Sequence, residues 1–179
     1  MMTETVIKHK WFWAWQDDKE EQWLESMSQH GYHLLEPGFF GRYVFKKGDP
    51  QKFIYRLDFM VQPKERDSYL QLFEDAGWEY IGQFGSWQYF RKPAGEDENP
   101  EIFTNVESKI KKYQRLLTYI IIFTPIYLLP LNIKNIMDRD PHWLMNAIFI
   151  FWVVLLLFFG FSAIMLIQRI NALKKSIKQ

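Results

Sequence analysis

Cysteine is absent from all 179 residues, which removes disulfides, thiolate chemistry and cysteine-based zinc sites. That composition suits a reducing compartment. Histidine is scarce as well. His9 and His142 stand alone, and His30 and His33 straddle a turn at Gly31, so the two imidazoles do not share a helical face and no metal site is expected. The nine glycines are dispersed, with no Gly-rich phosphate loop, and neither a Ser-centred nucleophile elbow nor a His-Glu-x-x-His helix occurs. The N-terminus has Lys8 and Lys10 but no apolar h-region, so no secretory signal peptide is readable there. Together these absences argue against an enzyme and leave no catalytic residue, cofactor or metal to assign.

Charge is missing from two long stretches. Leu116 to Ile133 and Trp143 to Ile167 carry no charged residue, and at about 1.5 Å per helical residue the first just reaches across a hydrocarbon core while the second has length to spare. Both are expected to be transmembrane helices, over 116–133 and 143–168, with a kink near Pro125. A buried hairpin of a soluble protein would need a thick partner layer around two nearly all-apolar helices. The overall charge of +1 conceals two opposed halves. Residues 1–103 hold 12 Lys and Arg against 18 Asp and Glu, and residues 104–179 hold 10 against 3.

The basic residues are placed where they orient a hairpin. Lys109, Lys111, Lys112 and Arg115 precede the first run, and Arg169, Lys174, Lys175 and Lys178 follow the second, whereas in the 134–142 connection Lys134 and Arg139 are balanced by Asp138 and Asp140. Both termini are therefore expected in the cytoplasm of a two-span cell-membrane protein, with 134–142 outside and 169–179 a basic cytoplasmic tail. Anionic lipid accounts for these residues as a membrane-surface set. Thr104 and Glu107 have capping-box spacing and start a juxtamembrane helix over 104–115, after a turn-rich, acidic linker at 94–103.

Residues 1–93 contain an approximate repeat, about 7–47 against 53–92. At an offset of 46, Trp23, Leu24, Met27, Gly31, Tyr32 and Leu35 fall on Tyr69, Leu70, Phe73, Gly77, Trp78 and Ile81. After a two-residue slip, Phe40-Gly41-x-Tyr43-x-Phe45 falls on Phe84-Gly85-x-Trp87-x-Tyr89. Upstream, "WFWAW" (Trp11 to Trp15) falls on "LDFMV" (Leu57 to Val61). Each half reads as strand, helix, strand, strand, by period-2 alternation in the strands and three-four spacing in the helices. Gly31 and Gly77 sit where helix ends need positive φ, and Asp18 is the candidate N-cap of the first helix, which makes "QDDKEE" a helix start rather than a metal-binding cluster.

The fold expected is α+β: a duplicated, ferredoxin-like cytoplasmic domain with two helices on one sheet face, followed by a two-helix transmembrane hairpin. The opposite sheet face would be open and occupied by Lys10, Phe12, Ala14, Arg56, Asp58 and Met60. Lys10, Phe12, Tyr55, Arg56 and Asp58 are the candidate ligand- or partner-binding residues, although Arg56 and Asp58 also suit a solvated ion pair. Tyr43, Tyr55, Trp87 and Tyr89 carry polar handles that suit either such a surface or the core. The acidic balance of this half disfavours nucleic acid.

The motifs "WFWAWQDDKEEQWLESM", "GYHLLEPGFFGRYVFKKG", "YRLDF", "LQLFEDAGWEYIG", "WQYFRK" and "EIFTNVESKIKKYQR", ahead of an apolar hairpin, resemble the bacterial membrane family known as domain of unknown function 2812, common in Gram-positive bacteria. The resemblance covers nearly the whole chain and brings no catalytic residues with it. Its members are often encoded beside PadR-type regulators, which implies a regulatory or envelope-stress role. The functional expectation is a membrane-anchored regulatory or sensory protein that binds a small molecule or protein partner. The alternative is an accessory subunit of a transporter or membrane complex, with Gly160, Ser162 and Ala163 as a helix–helix packing face.

Overall fold

The computed structural model describes residues 4–61, 66–95, 106–128 and 143–177. It divides into two compact units, Met1–Ser108 and Lys109–Gln179. Part of the expected linker, the Thr104 capping position, the end of the first apolar run, the 134–142 connection and Lys178 lie outside the described residues.

The first unit is mixed α+β. Its elements are β1 (Thr5–His9), α1 (Asp17–Gln29), β2 (Tyr32–Pro37), β3 (Arg42–Lys47), β4 (Phe53–Phe59), α2 (Arg66–Asp75), β5 (Glu79–Phe84) and β6 (Trp87–Pro93). The strands form two antiparallel three-stranded sheets, ordered β1-β3-β2 and β4-β6-β5, not the single sheet that a ferredoxin-like arrangement implies. The two halves share an element order and a strand order, with the last strand of each half in the centre of its sheet. They also share a defect: the register shifts between Leu34 and Glu36 in β2, and between Tyr80 and Gly82 in β5, the same positions at an offset of 46. A bulge there bends the strand where it leaves its helix. Gly31 and Gly77 follow their helices at φ 79° and 81°, as their spacing predicted.

The expected first strand is displaced. "WFWAW" is not a strand; β1 lies six residues earlier, pairing Val6 with Phe45 and Lys8 with Tyr43, and the tryptophan tract forms the connection into α1. Alternating aromatics satisfy a strand pattern as well as a ladder of stacked rings, and here the rings stack on one another. Trp13 and Trp15 lie nearly parallel with centroids 5.6 Å apart, and Trp11 meets Trp13 edge-on. The helix also begins earlier than Asp18. Gln16 occupies the N-cap without a side-chain cap, because its Oε1 accepts the Trp13 amide instead, and Asp17, Asp18 and Glu20 fill the first turn, where the helix dipole favours acid.

The main core joins Leu24 of α1 to Leu34, Tyr43 and Phe45 of the first sheet and Tyr55, Leu57 and Tyr89 of the second. A smaller cluster, Phe73, Trp78 and Phe90, packs under α2. Polar groups also tie α1 to the second sheet. The amides of Phe53, Tyr55 and Leu57, on the edge of β4 away from β6, donate to Ser28 Oγ (3.4 Å), Glu25 Oε1 (3.3 Å) and Glu21 Oε1 (2.8 Å). Two strand residues rise about 6.7 Å, close to the rise of one helical turn, so side chains one turn apart meet alternate amides. An edge strand is thereby sealed by a helix rather than by another strand.

The second unit contains all but the first three residues of α3 (Val106–Leu128), and α4 (Trp143–Ser176). Asn146–Ser176 is, among the described residues, the one stretch long and apolar enough to cross a membrane. Many of its large apolar side chains, including Ile150, Val154, Leu157 and Phe161, point outward. Arg169 Nε donates to the Tyr113 hydroxyl at 3.4 Å, and its guanidinium lies 6.0 Å from that ring.

Candidate functional site

The tryptophan connection does not simply cover the core. Trp11 to Ala14 form one wall of a cavity of about 340 Å³, the first turn of α1 supplies Asp17 and Glu20, the β2–β3 turn supplies Gly38 to Gly41, and the second sheet supplies Phe84, Trp87 and Tyr89. Its walls therefore come from both halves of the unit. Two backbone features hold the mouth. Lys10 donates its amide to the Gly41 carbonyl at 2.8 Å, and a Cβ on Gly41 (φ 67°) would collide with the Lys10 carbonyl oxygen, so this close crossing requires glycine. Next to it, Phe40 has φ 52° and ψ 39°, a left-handed conformation uncommon outside glycine, asparagine and aspartate. Its ring is 82% exposed, so core packing does not account for it.

The cavity wall carries a buried carboxylate. Tyr43 from β3 and Tyr89 from β6 each donate a hydroxyl hydrogen bond of 2.7 Å to the same atom, Glu20 Oε1. Burial pushes the Glu20 carboxyl above its ordinary range; the two tyrosine hydrogen bonds oppose that rise, and the neighbouring Asp17 charge adds to it. The same burial, followed by the Glu20 charge, raises both tyrosines, so they are donors at any physiological pH. This is a pocket with an apolar aromatic wall and one focused acidic acceptor, the usual make-up of a small-ligand site.

A family model described as "Protein of unknown function (DUF2812)" matches residues 16–124, more than half of the chain. The chain belongs to the DUF2812 family. Neither a curated protein nor a solved structure matches it. In this DUF2812 chain the match takes in every cavity residue from Asp17 onward and stops short of Trp11 to Ala14.

The five residues expected on an open sheet face are not gathered into one. Phe12 lines the cavity, and Lys10 lies beside it, its Nζ 5.2 Å from the ring centroids of Phe12 and Trp23. Tyr55 is fully buried in the core, where its hydroxyl accepts the Leu34 amide at 3.5 Å. Arg56 is held by Glu25 at 2.8 Å and Glu21 at 3.6 Å, not by Asp58. Asp58 is buried and accepts the Tyr69 hydroxyl at 3.0 Å. A helix covers that side of β4, which is why the expected open face is filled. Tyr43, Trp87 and Tyr89, the aromatics with polar handles, do line the cavity. Glu20 was missed, because a helix-start role already explained its charge and both its partners are remote in sequence. Of the basic residues, Lys109, Lys111, Lys112 and Arg115 lie on the N-terminal half of α3, and Arg169, Lys174 and Lys175 on the C-terminal part of α4.

Proposed function

We propose that the chain is a membrane-anchored, cytoplasm-facing binding protein with a regulatory or sensory role, whose α+β unit captures a small ligand in the aromatic cavity. The observation that carries this reading is the convergence of Tyr43 and Tyr89 on Glu20 at the wall of an open aromatic pocket. Burying a carboxylate is costly, and the two tyrosine hydrogen bonds offset that cost while holding the acid at the wall of a cavity rather than in closed core, which supports a ligand-facing role. The left-handed backbone at exposed Phe40 supports the same reading, since such strain persists where function retains it.

The anchor in this proposal is a hairpin, α3 from Leu116 onward and α4, with both termini in the cytoplasm. The Arg169–Tyr113 contact supports it by placing the start of α3 beside the basic end of α4. The shared strand order and the bulges at matching positions support an origin of the α+β unit by duplication of one strand-helix-strand-strand motif.

A small-molecule screen by thermal shift on the full chain in detergent tests the function. Ligands that stabilise the native protein and lose that effect in Trp13→Ala support it, and ligands whose effect survives in Trp13→Ala and in Phe40→Ala overturn the assignment to this cavity.

A second reading, an accessory subunit of a membrane complex, draws on Gly160, over which a side chain would meet open space. Co-purification of a membrane protein that is lost in Gly160→Leu supports it, and retention overturns it.

A further inference from the structure

We propose that the cavity takes an organic cation, an amine or quaternary ammonium group on an apolar body, with Glu20 as its counter-charge. This rests on the reading of the cavity as a small-ligand site.

The lining decides the sign of the ligand. Nine of its fourteen residues are aromatic, two are carboxylates, and none is Lys or Arg. Ring faces present the negative side of their quadrupole, so tryptophan, tyrosine and phenylalanine walls attract a desolvated cation and repel an anion. Asp17 and Glu20 are both buried, so their charge is focused into the cavity rather than spread into water. An anionic ligand would meet carboxylates and ring faces with no Lys or Arg in the lining, and the neighbouring Lys10 ammonium is already seated against Phe12 and Trp23. A neutral apolar ligand would gain nothing from the acid, whose burial it would make more costly.

The protein shows the preference on its own side chain. Lys10 Nζ sits 5.2 Å from both the Phe12 and the Trp23 centroids, an ammonium already accommodated against one of the cavity's rings. A cavity of about 340 Å³ is the size of a small molecule, not of a protein loop. An anionic bilayer is disfavoured for the same electrostatic reason, although Phe39 and Phe40 at the rim are exposed enough to touch one.

The test compares choline and benzyltrimethylammonium with their uncharged isosteres, in which carbon replaces the nitrogen, by calorimetry and tryptophan emission on the full chain in detergent. The expected result is a cation preference of about tenfold or more, reduced towards unity in Glu20→Gln. Since Glu20→Gln alters a buried group and can unfold the unit, Trp13→Ala at the half-exposed mouth gives a second reading, with the preference expected to fall there too. Equal binding of cation and isostere overturns the inference while leaving the cavity as a small-ligand site. Absence of binding by every probe overturns the inference, and the broader reading falls only if the unbiased ligand screen also finds nothing. A cation preference unchanged in both variants overturns the assignment to Glu20 and the aromatic wall.

Discussion

Tyr89 donates its hydroxyl to Glu20 across a sequence separation of 69 residues, at 2.7 Å. This bond and its twin from Tyr43 make one carboxylate oxygen the point where α1, β3 and β6 meet. The charge state of Glu20 is therefore felt by both sheets, and it is set first by burial and then by three neighbours: Tyr89 on β6, Tyr43 on β3 and Asp17 on α1.

A pH dependence follows from the raised Glu20 pKa. A carboxyl whose folded-state value lies above its ordinary value of 4.5 holds its proton more tightly when folded, so its contribution favours the folded state at low pH and is lost as pH rises through the folded value. Unfolding midpoints of wild type and Glu20→Gln, measured across that range, should show wild type losing ground to the variant as pH rises. A constant or opposite difference rejects the raised value. Cation affinity should run the other way, growing with pH as Glu20 ionises, and should be flat in Glu20→Gln.

The seal on β4 makes Arg56 more than a surface charge. Its side chain is 16% exposed, and it neutralises Glu21 and Glu25 while those carboxylates accept the amides of Leu57 and Tyr55. Removing it takes a cation away from two largely buried acids. Arg56→Ala should cost about 1–3 kcal/mol by chemical denaturation, with Arg56→Lys recovering part, because the contacts to Glu21, Glu25 and the Tyr55 carbonyl all converge on one nitrogen, Nη1, and an ammonium can take that place with looser geometry. A loss under a few tenths of a kcal/mol contradicts the seal.

Two glycines with positive φ separate backbone strain from close approach. Gly85 (φ 58°) has nothing within reach of an added Cβ, whereas Gly41 (φ 67°) has the Lys10 carbonyl in the way. Gly85→Ala should cost about 1 kcal/mol, from conformation alone, and Gly41→Ala clearly more, because the tryptophan connection must also move. The two midpoints, measured side by side, check the order. Gly41→Ala should also weaken any ligand of the cavity, and Gly85→Ala should not.

Much of the first unit is legible in the sequence. The three-four spacing of Trp23, Leu24 and Met27, the terminal Gly31 and Gly77, and the recurring Phe-Gly-x-aromatic pattern place two helices and most strands, because local periodicity and left-handed glycine are local properties. The tract "WFWAW" misleads because alternation cannot distinguish a ladder with a partner strand from rings that stack on one another. The ladder from Ser28, Glu25 and Glu21 to β4 leaves a trace, three acceptors one turn apart on one helix face. An acidic helix start explains the same residues, so the trace becomes readable only once the strand is beside it. Glu20 has no local signature at all: its role lies in partners 23 and 69 residues away.

The apolar helix α4 gives a prediction that separates lipid from water as its surroundings. Its 34 residues extend about 51 Å, well beyond a hydrocarbon core of about 30 Å, so a span centred near Leu157 leaves Arg169, Lys174 and Lys175 at or beyond the interface. Leu157 is 69% exposed and Phe161 53% exposed. If water surrounded them, lysine at either position would cost almost nothing and would improve solubility. Within a bilayer, each lysine near the middle of the helix costs about 2.5–3.5 kcal/mol of insertion free energy. The double variant Leu157→Lys, Phe161→Lys should therefore shift the protein out of the membrane fraction or into degradation, while the same pair of lysines at Leu72 and Gln71 on the exposed face of α2 should leave the distribution unchanged. Equal fractionation of both double variants and wild type would mean that α4 does not lie in lipid.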